Sequence, residues 1–245
     1  MKKMKFATLL VALISLFSLS SCLSESSNDG YDVYAEVSLK STMGQYYLIT
    51  DAGIIFYPEN STVLSSIQFK DGSYLERFVG AFKLSEGEVF DAYKNTYKVS
   101  EIAVNSTVPY KSMTTQPDTI KADHGIYDIH NNVWATNGYV NVPIYYYYSS
   151  ASQVSVNDFN LYATGASQDT LFVTLKQSRA IDSSEYPVTT PQVISFSMPF
   201  NNYDFYTIYN EVQPKNDTLV IKISAKSYDN SETIVKTTKY KASQR

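Results

Sequence analysis

The sequence predicts an all-β protein built as two modules, a small barrel followed by a sandwich. Three observations predict it. Apolar residues recur at every second position, in runs of strand length. Turn-forming residues punctuate those runs, as in Lys70-Asp71-Gly72-Ser73 and Asn137-Gly138. The chain also holds 22 tyrosines in 245 residues, and tyrosine is a strand former. No internal repeat and no heptad pattern stands against this reading.

Before the modules comes an address. Lys2, Lys3 and Lys5 precede an apolar run from Phe6 to Leu19, too short to span a bilayer. The run ends in Leu19-Ser20-Ser21-Cys22, which holds the one cysteine of the chain. Leu three positions before Cys22, two small residues between, and a basic start form a lipoprotein processing box. Residues 1–21 are therefore expected to be a signal peptide, and Cys22 to be acylated. The expected setting is the cell envelope, lipid-anchored at the outer membrane, with the periplasmic and surface faces both open. Acylation uses the thiol, which leaves no cysteine for a disulfide, a nucleophile or a metal. Loss of the three early lysines leaves 17 basic against 24 acidic residues, a charge of −7. That balance disfavours nucleic acid as a partner. Residues 22–30 read as the acylated cysteine and a polar tether, in which Glu25 and Asp29 fit either a sorting signal or a solvated spacer.

The first module is expected over residues 31–110. Val33, Ala35, Val37 and Leu39 alternate with polar residues and Tyr34, which marks a half-buried strand. Tyr46 to Ile49 and Ile54 to Tyr57 flank Thr50-Asp51-Ala52-Gly53, a hairpin turn in which Gly53 takes positive φ. A short helix is expected over residues 61–68. Phe78, Gly80, Phe82 and Leu84 line one face of the next strand, with Arg77 and Lys83 expected to face outward. An extended segment over 93–104 completes five strands with one small helix among them, the pattern of an OB-like barrel.

Residues 111–118, apolar-poor and containing Pro117, are the expected linker. The second module, 119–245, shows alternation at Phe159/Leu161/Ala163, Leu171/Val173/Leu175, Ile194/Phe196/Met198 and Leu219/Ile221/Ile223. Many short strands, expected to run antiparallel, predict an immunoglobulin-like β-sandwich without the inter-sheet disulfide.

Together the lipobox, Tyr47-Leu48-Ile49-Thr50-Asp51-Ala52-Gly53 followed by Pro58, Glu76-Arg77-Phe78-Val79, and Trp134 to Val142 (WATNGYVNV) resemble the NigD-like lipoproteins of Gram-negative bacteria. The resemblance covers essentially the whole mature chain. It implies an OB-like domain before a β-sandwich, as the periodicity does independently. It also implies a bacteriocin-immunity role, and it supplies no catalytic residue.

The residues themselves offer few chemical candidates. His124 and His130 are the only histidines. Six residues apart on an extended chain they stand about 20 Å apart, too far for one ion, so no metal is expected. No cofactor motif, nucleophile elbow or zincin motif occurs, and the chain is not expected to be an enzyme. An unrecognised hydrolase working through two carboxylates remains an alternative. Tyr145, Tyr146, Tyr147 and Tyr148 form the densest aromatic run: on a strand, Tyr145 and Tyr147 face one way and Tyr146 and Tyr148 the other. Such a run fits either a sheet that buries one pair, or an aromatic shelf for a sugar ring or peptide. Trp134, the lone tryptophan, is expected to be buried with Tyr139 and Val142 nearby, and is the alternative binding residue if exposed. Thr119, Thr170 and Thr218 each follow an Asp and precede an apolar residue, the pattern of O-glycosylation acceptors and equally of ordinary turns. The expected function is thus a non-catalytic envelope lipoprotein in a binding or accessory role, with a membrane contact through its anchor and a protein or glycan partner. The alternative is a carbohydrate-binding module using the tyrosines.

Overall fold

The computed structural model describes residues 24–25, 30–91, 93–115, 125–148, 154–178, 186–229 and 231–244. Cys22, Thr119 and His124 lie outside these residues. The chain is all-β and divides into two compact units, 1–108 and 109–245.

In the first unit, β1 (Ser24–Glu25), β2 (Val33–Thr42), β3 (Gln45–Thr50), β4 (Ile55–Pro58), β5 (Arg77–Leu84) and β6 (Thr96–Thr107) form one sheet. β2 pairs with β3, β3 with β4, β4 with β6, β6 with β5, and β5 with β2, which closes a five-stranded barrel. The β4–β6 pairing is parallel and the others antiparallel, the connectivity of an OB barrel. β2 serves both neighbours because it is long: Val33 to Ser38 pair with β5, and Val37 to Thr42 with β3. The small helix is a 3-10 helix, Ser61–Ile67, capped by the Asn60 side chain, which accepts from the Thr62 amide. Its Val63, Leu64 and Ile67 join Phe56, Phe78, Phe82 and Tyr97 in the barrel core. Phe56 and Phe82 stack there with centroids 4.7 Å apart. Ser24 and Glu25, expected within a tether, pair instead with Tyr34 and Val33.

Arg77 corrects an expectation. It does not face outward; it is fully buried. Its Nη1 donates to Asp51 Oδ1 at 3.1 Å and to Ser38 Oγ at 2.6 Å. Its Nη2 donates to Asp51 Oδ2 at 2.9 Å and to Glu36 Oε1 at 2.6 Å. Strand alternation alone places an arginine outward. A guanidinium fork matched to a carboxylate makes burial tolerable.

In the second unit, β7 (Tyr110–Ser112), β10 (Trp134–Thr136), β11 (Tyr139–Tyr145) and β16 (Gln192–Ser197) form one sheet, with β9 (Asp128–Ile129) on the end of β11. The other sheet runs β18 (Thr233–Lys241), β17 (Thr218–Lys226), β14 (Thr170–Gln177), β13 (Phe159–Ser167) and β8 (Thr114–Thr115). A two-stranded ribbon joins β12 (Tyr147–Tyr148) to β15 (Tyr186–Pro187). Val140, Val142, Ile144 and Phe196 of the first sheet share one core with Leu161, Val173, Ile221 and Ile223 of the second, the arrangement of a β-sandwich. Residues 111–115 of the expected linker are strands of this unit, β7 and β8, and 116–118 lie outside the described residues.

The sandwich is less uniformly antiparallel than expected. β8–β13, β14–β17 and β7–β16 pair in parallel. Between β14 and β17 the chain crosses to the other sheet through β16 and then forms α1 (Tyr203–Asn210), so β17 returns in the direction of β14. α1 is capped by Asn202, whose side chain accepts from the Phe205 amide. It sends Phe205 and Tyr209 into the sandwich core.

Candidate functional site

The tyrosine run divides as strand alternation requires. Tyr146 is buried against Phe159, with ring centroids 5.4 Å apart, and Tyr148 packs on the same core. Tyr145 and Tyr147 point to the other side. There Tyr147 packs at a tilt on Tyr228, with centroids 4.3 Å apart, and meets Tyr127 edge-on at 5.6 Å. Burial among these rings raises the Tyr147 phenol, and the nearby Tyr127, Tyr228 and Asp229 add to it. Tyr145 pairs in register with Asp128 of β9 and lies 6.1 Å from the His130 ring.

These residues open a groove of about 460 Å³ in the second unit, whose walls include Tyr127, Asp128, His130, Asn131 and Tyr145. Tyr127 is half exposed at its lip. Lys236 Nζ donates to Asn131 Oδ1 at 2.7 Å and stands 4.0 Å from Asp128, which fixes the polar wall. His130 Nδ1 accepts from the Asn132 amide at 3.2 Å, so that nitrogen is committed to the local turn. Among the described residues no three His, Cys, Asp or Glu side chains converge to hold a metal. The groove offers aromatic surface beside hydrogen-bonding groups, suited to stacking and orienting a polar ligand.

Trp134 is not part of that groove, and it is partly buried. It lies on the short strand β10 opposite Asn141, while its neighbour Ala135 packs on the core. Tyr139 and Val142 are buried. Thr170 and Thr218 begin strands β14 and β17, and both are partly exposed. The Thr170 hydroxyl donates to Asp169 Oδ1 at 3.1 Å, and the Thr218 hydroxyl to the Asn216 carbonyl at 3.3 Å.

A second surface, not singled out from the sequence, lies on the barrel wall formed by β3, β4 and β6. Tyr47 and Ile49 of β3 and Ile55 and Tyr57 of β4 point outward, with Leu48 and Phe56 pointing into the core. The Tyr47 and Tyr57 rings lie 5.9 Å apart. Two cavities, of about 350 and 590 Å³, meet at Gln45 and Tyr57 along this wall. The larger one is rimmed by Glu59, Glu88, Lys94 and Lys98, with Lys94 ion-paired to Glu88. Exposed Met43 in the β2–β3 turn and exposed Val89 and Tyr93 in the β5–β6 loop add apolar surface to the unit. The signal was present in the sequence. Tyr46-Tyr47-Leu48-Ile49 and Ile54-Ile55-Phe56-Tyr57 are apolar at consecutive positions, where a barrel strand facing water on one side alternates.

No family model and no curated protein matches the chain. Solved structures do. It is similar to a toxin-related protein from Parabacteroides distasonis, at 16% identity and a TM-score of 0.50, over 86% of this chain and 94% of that one. It is also similar to a lipoprotein from Bacteroides fragilis, at 10% identity and a TM-score of 0.46, over 85% and 97%. At these identities the likeness is one of fold. Similar at 13% identity and a TM-score of 0.42, over 82% of this chain and 90% of its own, is a NigD-like immunity protein from Bacteroides caccae, a solved member of the group whose motifs the sequence resembles.

Proposed function

We propose that this chain is a non-catalytic, lipid-anchored envelope protein that binds a macromolecular partner through the barrel wall around Tyr47 and Tyr57. The observation that supports it is the outward set Tyr47, Ile49, Ile55 and Tyr57 beside an open groove. Barrel strands turn apolar side chains to water only at a cost, and contiguous exposed apolar surface marks a contact site. The position agrees with the ligand-binding wall of OB barrels in general. Immunity to a bacteriocin, the role implied by the NigD-like resemblance, is one form such binding takes; an accessory role in an envelope complex is another. The test is a photo-crosslinking residue in place of Tyr57 in intact cells. A discrete protein adduct, absent when the probe replaces the exposed Lys83, is expected. Equal labelling from both positions, or none from 57, defeats the reading.

The groove at Tyr127 and Tyr145 favours a second reading, a carbohydrate-binding module. Exposed tyrosine faces beside Asp128, His130 and Asn131 suit a sugar ring, which needs stacking and hydrogen bonds together. A glycan array with the intact chain and with Tyr127→Ala distinguishes it. Retention lost in the variant supports this reading, and no retention of any glycan removes it.

A further inference from the structure

The outward face of the β14–β17–β18 sheet carries a segregated positive charge. Lys222 and Lys226 of β17 and Lys239 and Lys241 of β18 are exposed, and Lys176 of β14 is partly exposed. The three strands contain no Asp or Glu. This is notable in a chain whose net charge is −4. Carboxylates flank the strands in the turns: Asp169 accepts from the Thr170 hydroxyl, Asp217 from the Ser243 amide and Asp229 from Ser227 and Ser231, with Glu232 just before β18.

Register fixes where the lysines stand. Leu175 pairs with Ala225 in parallel, so Lys176 and Lys226 lie side by side at one end. Lys222 pairs with Thr237, Val220 with Lys239, and Thr218 with Lys241. The ammonium groups therefore run diagonally from β14 across β17 to β18. At strand spacings the stripe is roughly 28 Å long and about 10 Å wide. Off the diagonal the face is uncharged: Thr170 on one side, Thr233 and Val235 on the other. Beside the stripe stand the Thr174–Ser224 hydroxyl pair, 3.2 Å apart, and Phe172, whose ring centre is 6.0 Å from Lys222 Nζ.

We infer that this stripe binds a linear acidic polysaccharide lying obliquely along the strands. Charge complementarity demands an anion, and the shape demands a linear one. A bilayer surface is matched by a disc of charge, not a diagonal one side chain wide. Lysines are hydrated point charges that follow anions of variable spacing without the fixed fork of arginine. Hydroxyls and one aromatic ring between them suit a sugar backbone. The site is separate from the tyrosine groove and from the barrel wall, and stands whether or not either of those is occupied.

The test uses the full chain in non-ionic detergent, titrated calorimetrically with heparin, polygalacturonate, neutral dextran and poly-glutamate. Heparin or polygalacturonate is expected to bind at low salt and be released at high salt, with dextran inert. The triple variant Lys222→Gln, Lys239→Gln, Lys241→Gln is expected to bind about tenfold more weakly, as three exposed ion pairs imply. Tyr127→Ala is expected to bind as the parent does. The single variants replace the triple one if its thermal melt shifts. The inference fails if neither acidic glycan binds, if the lysine variants bind unchanged, or if poly-glutamate binds as tightly as the glycans.

Discussion

At the scale of single residues, the barrel is most sensitive at Arg77. Its guanidinium has no solvent exposure and is shared by Asp51, Glu36 and Ser38. A buried charge cluster of this kind contributes modestly while intact and is costly to break, because the partners are then left without a counterion. Arg77→Met is expected to destabilise the barrel by about 3 kcal/mol, read by urea unfolding; a loss within the error of the measurement contradicts the account. Glu36 carries the pH dependence. Burial holds its carboxyl above the usual range and Asp51 adds to this, while Arg77 offsets it only in part. The folded state therefore holds the proton more tightly than the unfolded one. Stability falls as pH rises from 4.5 through the raised value, and is regained on acidification. Glu36→Gln removes that dependence. The wild type should gain in melting temperature relative to the variant as the pH is lowered toward 4.5. A difference that stays constant with pH would show that Glu36 titrates as it does in the unfolded chain. Arg77 also shows why sequence alone misplaced a residue. Period-two alternation records which face a side chain leaves from, but not what polar partners a neighbouring strand and a turn deliver to it.

Elements were legible where the pattern was local. The strands of the barrel, its 3-10 helix and the Asn137-Gly138 turn, with φ of 50° and 78°, follow from alternation and turn chemistry. α1 was not legible: Tyr203 to Asn210 is rich in tyrosine and in residues that favour strands, yet Asn202 caps it and the core accepts Phe205 and Tyr209. Tertiary burial overrode propensity there. Parallel pairing of β14 with β17 was illegible as well, since it depends on a crossing between sheets. The candidate sites divided in the same way. Period two divided the 145–148 run into two opposite-facing pairs but not which pair faces outward, and the partners that complete the groove, Tyr127 and His130, come from a separate strand and its flanks. One element-scale contact is decisive for that groove. Gly125 has φ +68°, and a Cβ there would lie 2.3 Å from the Ser227 carbonyl oxygen. The next residue, Ile126, bridges to Ser227, accepts from the Tyr228 amide and is fully buried. Gly125→Ala should therefore push this segment off β17 and cost about 1–3 kcal/mol. It should also separate Tyr127 from Tyr228 and so disturb both rings about Tyr147. A variant with wild-type stability and an unchanged tyrosine absorption titration would show that the backbone yields without loss.

At the scale of the whole molecule, the proposed lipid anchor decides where every other surface works. Residues 1–22 carry the basic start, the apolar run and Leu19-Ser20-Ser21-Cys22, which together propose acylation at Cys22. More than one fatty chain, each methylene contributing about 0.8 kcal/mol on burial, makes a stable attachment where a single chain would not. The structure adds a constraint on reach. Ser24 and Glu25 already pair with β2, so only Leu23 separates Cys22 from the barrel sheet. At no more than about 3.6 Å per residue, two steps of chain hold the start of the sheet within roughly 7 Å of Cys22. An eight-residue tether would allow about four times that distance. Cys22→Ser should leave a folded protein that takes up no labelled palmitate and moves from the membrane to the aqueous phase in a detergent partition. Breaking β1 without touching the cysteine, by Ser24→Pro with Glu25→Pro, should keep the label and the membrane phase. It should also make the chain at β1 newly open to protease on intact vesicles, because its pairing with β2 is gone. Palmitate entering the serine variant would refute the anchor. Equal protease resistance with and without the two prolines would refute the short leash and restore a free tether between lipid and barrel.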